Sequence, residues 1–296
     1  MEERKAVIRL RVELLCYRAL NINYNYMITD FKCNRVYLSA KMASLCPITF
    51  QKLTEVLSRH TIKWSLLEGT NDIWCRDFMP IQIDCNSYAE FRYYPDYLLR
   101  SLRYRQSITD GSELAKSLGF SLISGLKDII IDGGNVVKCD DKVIMTSKVF
   151  EENPSYTVAQ LSNKIENALG AELIVIPWDI NEFFGHSDGV CRYIGNNRLL
   201  VTSYREIDKR MTDRFIKCLD PHFKEVHELH FRSKKSKSTN WAYINWLQTD
   251  RIIVMPSFDT KEDIEALGQI SSYMPDYKIE MVDSRDLVVH GGGLNC

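Results

Sequence analysis

Hydrophobic positions alternate between strand-like and helix-like spacing from about residue 28 onward. RVYLSA (35–40) and IKWSLLEG (62–69) have the apolar character of strands. Between them, apolar residues recur at the spacing of a helix over 50–60, namely Phe50, Leu53, Val56 and Leu57. The first predicted unit is therefore a strand, a helix and a strand.

Similar units recur further along the chain. The pattern predicts two strands in 129–147, a helix at 156–170, a strand at 171–179, a hairpin in 188–204 turning at Gly195-Asn196-Asn197, a helix near 206–218, a strand in 223–231, two strands in 240–258, a helix at 262–274 and a strand at 277–283. Repeated strand, strand, helix, strand modules indicate a single α/β domain over 28–296.

Residues 1–27 are predicted to be an irregular or helical extension whose role the sequence does not reveal. Arg9, Arg11 and Glu13 interrupt the apolar run that a secretory signal needs, and no apolar run approaches membrane-spanning length. We therefore expect no membrane association.

Composition excludes a global electrostatic partner. The 296 residues carry 38 basic and 39 acidic side chains, so the net charge of -1 gives no field for nucleic acid or anionic membrane. The nine cysteines form no CxxC pair and no zinc-type spacing with histidine, and an odd number cannot pair completely. A reducing cytoplasm and no metal are the expectations.

Four polar clusters follow predicted strands, and loops of this kind converge on one end of a repeated α/β fold. They are TNDIWCRDFMP (70–80), IIIDGGN (129–135), FFGHSDG (183–189) and VVHGGGLNC (288–296). Their convergence would assemble an active site from distant segments.

Two clusters offer an imidazole and carboxylates. His186 and Asp188 are two residues apart, so in extended backbone their side chains share a face; the alternative is an ordinary surface loop. Asp132 ends an apolar run before two glycines, where a simple turn acid is the alternative. Each cluster alone is a weak signal.

The remaining candidates also have plain structural alternatives. Asp77 has Trp74 three residues before it as an aromatic wall, or else belongs to a buried network with Arg76. Asn245, in AYIN on the predicted strand before IIVMP, can bind substrate or be a strand-end amide. Cys296 follows three glycines and two further residues. It is either a thiol that this flexible run presents to the site or the end of a disordered tail.

Taken together and in this order, WCRD, DGGN, GHSDG, AYIN and GGGLNC resemble the agmatine deiminase and bacterial peptidylarginine deiminase branch of the guanidino-modifying enzymes. The resemblance covers about residues 28–296. It implies the pentein fold, a five-bladed α/β propeller with the active site at its centre.

The resemblance also implies roles. They are Cys296 as nucleophile, His186 as general acid and base, Asp77 and Asp188 as the pair holding the guanidinium, Asp132 as the acid orienting the histidine, and Asn245 as the family asparagine near the site. The implied reaction converts a guanidine to a ureido group plus ammonia through a covalent cysteine intermediate, without a cofactor. The expected partner is a small-molecule or peptide guanidine, and a homodimer is left open.

The chain departs from the family pattern at its end. Asn295 stands where relatives commonly have histidine, and relatives continue beyond the cysteine. A terminal carboxylate beside Cys296 would raise the pKa of the thiol.

Substrate choice depends on the segment FRYYPDYLLR. Peptidylarginine-type relatives hold a substrate carboxylate with arginines soon after WxRD; here Arg92 is accompanied by Asp96. The mixed pair favours agmatine, giving N-carbamoylputrescine, over peptidylarginine or free arginine.

Three rival functions stay open. The same site can transfer the amidino group to an amine, or bind guanidines without turnover. A Cys/His peptidase ranks last because it gives no role to the two further acids and the tryptophan.

Overall fold

The computed structural model describes residues 26–232 and 239–296. The predicted extension of residues 1–27 lies, except for its last two residues, outside the described residues. Met27 is buried, and its backbone N–H donates to the Asp140 carbonyl at 2.8 Å. The first described residues are thus hydrogen-bonded to the backbone at Asp140.

The described ranges contain short strands and helices in alternation. The strands are β1 (Arg35–Ser39), β2 (Lys63–Leu67), β3 (Ile81–Gln82), β4 (Ser87–Arg92), β5 (Ser121–Ile130), β6 (Val137–Cys139), β7 (Lys142–Thr146), β8 (Glu172–Ile176), β9 (Cys191–Tyr193), β10 (Arg198–Val201), β11 (Glu225–Glu228), β12 (Leu247–Gln248), β13 (Ile252–Ser257) and β14 (Lys278–Asp283).

The α-helices are α1 (Met42–Leu45), α2 (Pro47–Arg59), α3 (Cys75–Phe78), α4 (Leu102–Arg105), α5 (Gly111–Ser117), α6 (Lys148–Glu152), α7 (Val158–Leu169), α8 (Lys209–Leu219), α9 (Lys261–Tyr273) and α10 (Arg285–Val288). Short 3₁₀ turns lie at Asp30–Lys32, Asp96–Arg100, Gly133–Asn135, Ser187–Gly189, Tyr204–Glu206 and Asn240–Ile244.

The strands of the described residues form five small sheets. In four of them the first strand pairs antiparallel with the second, and the second pairs parallel with the third after a helical connection. The first sheet pairs β1 with β2 in parallel. The predicted α/β class and the strand, strand, helix, strand module are confirmed.

Local chemistry explains the main helices and turns. Pro47 starts α2, which buries Thr49, Leu53, Val56 and Leu57 at helical spacing. Thr157 and Gln160 form a capping box on α7, which ends at Gly170 in the left-handed region. The predicted turn at Gly195-Asn196-Asn197 joins β9 to β10, with positive φ at all three residues.

Four buried clusters join the sheets to one another. One cluster links the second and third sheets and includes Leu67 of the first; the next links the third and fourth. The third links the fourth and fifth, and the last joins the fifth sheet back to β1 and α2. This chain of contacts agrees with a ring of five sheets, and the closed propeller stays a prediction.

The two strands predicted in 240–258 are present, but the first of them begins later than expected, at Leu247. The segment AYIN does not extend a strand: residues Asn240–Ile244 form a 3₁₀ turn, and the Asn245 N–H donates to the Ala242 carbonyl at 3.0 Å. Ala242, Tyr243 and Ile244 are all fully buried. A continuously apolar run has no period, so the sequence could not distinguish a buried turn from a buried strand.

Two further observations describe the chain as a whole. Among the described residues, no helix is both long and apolar enough to cross a membrane. The eight cysteines of the described ranges are all free thiols.

Candidate functional site

Three of the four polar clusters meet around one imidazole. α3 carries Asp77, the 3₁₀ turn Gly133–Asn135 follows Asp132, and His186 precedes the turn Ser187–Gly189. The His186 Nε2 lies 3.0 Å from Asp132 Oδ2, and its Nδ1 lies 3.8 Å from Asp77 Oδ1. The imidazole therefore sits between two carboxylates from separate segments.

Charge and burial set the protonation of this group. Burial lowers the pKa of His186, but Asp77 and Asp132 outweigh it and raise that pKa to about 10. Burial raises the pKa of Asp77 to about 7, with His186 opposing the shift and Asp132 and Asp188 adding to it. The two carboxylates therefore favour an imidazolium at neutral pH.

Two glycines make the meeting of the segments possible. A Cβ on Gly134 would lie 2.4 Å from His186 Nδ1 and 2.7 Å from Asp77 Oδ1. A Cβ on Gly133 would lie 1.8 Å from the carbonyl oxygen of Arg76. The Gly134 N–H also donates to Asp77 Oδ1 at 3.1 Å. The DGG sequence is needed because the other segments touch its backbone.

A buried lysine extends the cluster on the side of Asp132. Lys148 Nζ lies 3.9 Å from Asp132, 3.0 Å from Asp96 and 3.1 Å from Glu152. Burial and Asp132 raise the pKa of Glu152 to about 7, against the pull of Lys148. Lys148 was not predicted as a site residue. It is fully buried where a strand passes into a helix, and the surrounding segment is too polar for the spacing of its apolar residues to indicate that burial.

Cys296 lies in a recess formed by its own loop and Asn245. The Gly293 N–H donates to Cys296 Sγ at 3.2 Å, and the thiol lies 3.4 Å from Asn245 Oδ1, to which it can donate. Burial around the thiol raises the pKa of Cys296 well above its ordinary value; Asp188 and Asp77 add to this, and the Gly293 N–H and Arg76 oppose it. These surroundings therefore favour the neutral thiol.

The glycines before Cys296 pack against the predicted wall. A Cβ on Gly292 would lie 2.4 Å from the Trp74 ring, and one on Gly293 would lie 2.7 Å from Asn245 Oδ1. Gly291 has a φ of 93°. The terminal loop is thus pressed onto Trp74 and Asn245 through backbone that side chains would block.

Asp188 reaches the cluster by a different backbone from the one predicted. His186 is extended, but Ser187–Gly189 form a 3₁₀ turn, with the Val190 N–H bonded to the Ser187 carbonyl at 3.0 Å. The expected extended pair is therefore wrong. Asp188 is buried with Oδ2 at 3.6 Å from Arg76 Nε, and its charge still acts on His186.

Arg76 is a further site residue, with partners that differ from the predicted one. The sequence predicts it only as a partner of Asp77, whereas its guanidinium contacts Asp188, the Val136 carbonyl at 2.9 Å and Asn295 Oδ1 at 3.4 Å. Adjacent residues of a helical turn point in different directions, so neighbours in sequence need not pair.

Arg92 is not brought into the cluster. Its side chain is exposed and packs over the Tyr94 ring at 4.7 Å. Its role toward substrate stays a prediction. Asp96, by contrast, contacts Lys148 as described above.

An aromatic group borders His186. The rings of Phe184 and Tyr97 lie 5.8 and 6.2 Å from the imidazole, and Tyr97 meets Phe184 edge to face. These rings leave the imidazole in a surrounding that admits little water.

A cavity of about 300 Å³ reaches Cys296 from another side. Trp74, Arg76 and Cys296 line it together with every residue of β1, whereas His186 and its acids do not. Alternate residues of a strand face opposite sides of the sheet, so a cavity that touches every residue of β1 runs along the edge of that strand. It is therefore not the space between thiol and imidazole.

Within residues 26–232 and 239–296, no group of three or more His, Cys, Asp and Glu side chains is arranged to hold a metal ion.

Comparison with known proteins identifies related chains. A family model described as Porphyromonas-type peptidyl-arginine deiminase matches residues 39–296. A putative agmatine deiminase of Mycoplasma mycoides subsp. mycoides is 22% identical over 205 residues, which is 57% of this chain and 56% of that relative. The aligned region thus spans just over half of that relative's length.

Solved structures share the fold. A C. jejuni agmatine deiminase superposes with a TM-score of 0.71 at 18% identity, covering 92% of this chain and 94% of that one. A putative peptidyl-arginine deiminase gives a TM-score of 0.73 at 16% identity, covering 92% and 97%. At these identities the likeness establishes the fold alone, in agreement with the predicted α/β class.

Proposed function

The chain belongs to the Porphyromonas-type peptidyl-arginine deiminase family, and on that basis we propose that it is a guanidine iminohydrolase acting on agmatine. The product would be N-carbamoylputrescine, with ammonia released. The observation that carries the proposal is the convergence of His186, Asp77 and Asp132 from three segments, next to the loop that presents Cys296.

The carboxylates fit a guanidinium. A guanidinium stays charged at any working pH and offers five N–H donors in one plane, so two carboxylates can hold it by paired hydrogen bonds. Asp77 and Asp188 both act electrostatically on Cys296, which places their charges beside the thiol. Among the described residues, Asp188 Oδ2 is buried and accepts no hydrogen bond, and Arg76 Nε at 3.6 Å is its ion-pair partner. The carboxylate thus keeps hydrogen-bonding capacity for a guanidinium.

Substrate binding would also ionise the nucleophile. Burial raises the pKa of Cys296 well above its ordinary value, and Asp188 and Asp77 add to this because they oppose a further negative charge. A bound guanidinium adds one positive charge beside these acids and lowers the pKa of Cys296. The thiol proton then passes to solvent, which ends the hydrogen bond to Asn245 Oδ1 at 3.4 Å. The Gly293 N–H, 3.2 Å from the sulfur, continues to donate to the thiolate.

The reaction then follows in two halves. The Cys296 thiolate attacks the guanidinium carbon and forms a C–S bond; His186 protonates the leaving nitrogen, and the C–N bond breaks to release ammonia. His186, now neutral, takes a proton from a water molecule as the water oxygen attacks the same carbon. The C–S bond then breaks, Cys296 leaves as the thiolate, and the protonated ureido group gives its extra proton to solvent. Asp132 holds the imidazole through the 3.0 Å contact at Nε2.

Agmatine is favoured by what surrounds Lys148. Three carboxyl groups, from Asp96, Asp132 and Glu152, face this single ammonium group, and Asp96 is 54% exposed. Such a surplus of acid suits a substrate with a second cation and disfavours one with a carboxylate. The Arg92 side chain, which would hold a carboxylate, packs on Tyr94.

Product analysis tests the proposal. The purified chain is incubated with agmatine, free arginine and arginyl peptides, with and without an added amine, and ammonia and ureido product are measured. We expect equal amounts of ammonia and N-carbamoylputrescine from agmatine. A new guanidine formed on the added amine would indicate amidino transfer instead, and no product from any of the three would contradict the proposal.

A further inference from the structure

The guanidinium of Arg76 joins segments that are far apart in the sequence. Its Nη2 donates to the Val136 carbonyl at 2.9 Å, its Nη1 contacts Asn295 Oδ1 at 3.4 Å, and its Nε lies 3.6 Å from Asp188 Oδ2. The side chain is one-fifth exposed, at 20%. One side chain therefore contacts the segment after DGGN, the GHSDG turn and the loop that ends in Cys296.

We propose that Arg76 is a positioning residue that fixes Asp188 and the Asn295–Cys296 loop in one arrangement. The inference rests on the proposed function in so far as Asp188 is taken to hold a guanidinium. No contact of Arg76 with substrate is required.

The geometry of the guanidinium explains why arginine is needed here. Its planar fork presents five N–H donors in fixed directions, so one group can serve three partners at once. A lysine ammonium at the same position has one nitrogen in place of three, and its side chain differs in length. The replacement of Arg76 by lysine should thus keep the positive charge and lose the simultaneous contacts with the three partners.

Asn295 completes the arrangement from the side of the nucleophile. Its backbone N–H donates to Asn245 Oδ1 at 3.0 Å, while its side-chain oxygen faces Arg76. The residue next to Cys296 is thus held at two points. The asparagine that departs from the family pattern has an acceptor oxygen suited to the guanidinium beside it.

The electrostatics act in the same direction as the geometry. Asp188 is buried at 3% exposure, and a buried carboxylate without a cation is costly. Burial raises the pKa of Asp188 while Arg76 lowers it, and Arg76 also lowers the pKa of Cys296. Removing the guanidinium should weaken both the grip on substrate and the ionisation of the thiol.

The test uses Arg76→Gln, Arg76→Lys and Asn295→Ala, with Arg205→Lys as the matched control. Like Arg76, Arg205 holds more than one partner, in its case Glu228 at 3.0 Å and Asp213 at 2.7 Å, but it makes no contact with the cluster around His186 among the described residues. Alkylation of Cys296 by iodoacetamide is followed against pH with peptide mapping, which separates it from the other thiols. The kcat and KM for agmatine are measured in parallel.

For Arg76→Gln we expect at least a tenfold lower rate of Cys296 alkylation at pH 8 and a midpoint displaced to higher pH. Arg76→Lys should shift the midpoint less but still lose at least tenfold in kcat, and Asn295→Ala should show a smaller loss of the same kind. Arg205→Lys should stay within twofold of the wild type.

Two results would overturn the inference: alkylation profiles and kcat within twofold of the wild type in folded Arg76→Lys, or an equal loss in Arg205→Lys. If Arg76→Gln does not fold, Arg76→Lys and Asn295→Ala decide. If the wild type turns over no guanidine, the proposed function fails while the alkylation profiles still decide the role of Arg76.

Discussion

The imidazole of His186 lies within hydrogen-bonding distance of Asp132, with 3.0 Å between Nε2 and Oδ2. This contact fixes the ring, so that Nδ1 points toward Asp77 Oδ1 at 3.8 Å. A histidine held in this way can carry a proton between a leaving nitrogen and a water molecule without turning.

Replacing Asp132 by asparagine tests that relationship. The Asp132 carboxylate is one of the groups that raise the pKa of His186, so its loss should lower that pKa and free the ring to rotate. We expect kcat for agmatine to fall by about 10² to 10⁴, with KM changed far less. Steady-state kinetics and a histidine NMR titration measure the two effects, and an unchanged kcat would remove Asp132 from the mechanism.

Gly134→Ala should abolish activity without unfolding the protein. The added Cβ would lie 2.4 Å from His186 Nδ1 and 2.7 Å from Asp77 Oδ1, so those side chains must move apart. Gly268→Ala is the matched control, because its helical position has open space within 4 Å. It should keep full activity and gain up to about 1 kcal/mol of stability. Turnover and thermal melting of both variants check this, and normal turnover by Gly134→Ala would contradict the described packing.

The free energy of unfolding should fall as pH rises from about 6.5 to 10. The pKa of His186 is raised to about 10, so the folded state keeps a proton in this range that the unfolded state has lost. The stabilisation is complete below the unfolded pKa and disappears above the folded one, with a slope of at most about 1.4 kcal/mol per pH unit. Urea denaturation at several pH values measures it. His186→Gln should flatten the slope, and the same slope in that variant would assign the effect to another group.

Asp96→Asn and Arg92→Ala separate the two substrate readings. If Asp96 receives the second cation of agmatine, Asp96→Asn should raise KM about five- to tenfold with little change in kcat, as expected for lost ground-state binding. Arg92→Ala should leave agmatine kinetics unaltered, since its side chain packs on Tyr94. The reverse pattern, with arginyl peptides as the better substrates, would favour peptidylarginine.

Much of the fold was visible in the sequence, and the exceptions have physical causes. The helix over 50–60 and the turn at Gly195 were recognised because their apolar spacing and turn residues are local signals. The module of β3, β4 and β5 was overlooked because β3 has two residues and the β4–β5 pairing contains register shifts. Short and irregular strands have too few paired residues to show the alternation of apolar and polar positions.

The site was predictable as a set of residues and not as an arrangement. His186 and Asp132 are 54 residues apart in sequence, and only the packing of two glycine-lined turns brings them together. The pairing of Arg76 with Asp188 instead of its neighbour Asp77 likewise depends on three-dimensional contacts. Lys148 lay within a helix with no local sign of burial.

The central claim is that Cys296 attacks the guanidinium carbon, and trapping the intermediate tests it most directly. The enzyme is mixed with agmatine, quenched in acid within one turnover and mapped by peptide mass spectrometry. Cys296→Ala is expected to be inactive, and Cys85→Ala, which removes an exposed thiol, is the matched control. We predict an amidino adduct on Cys296, together with ureido product, in the wild type and in Cys85→Ala. Cys296→Ala should form neither the adduct nor the product. Ureido product from Cys296→Ala, or an adduct on another residue, would contradict it.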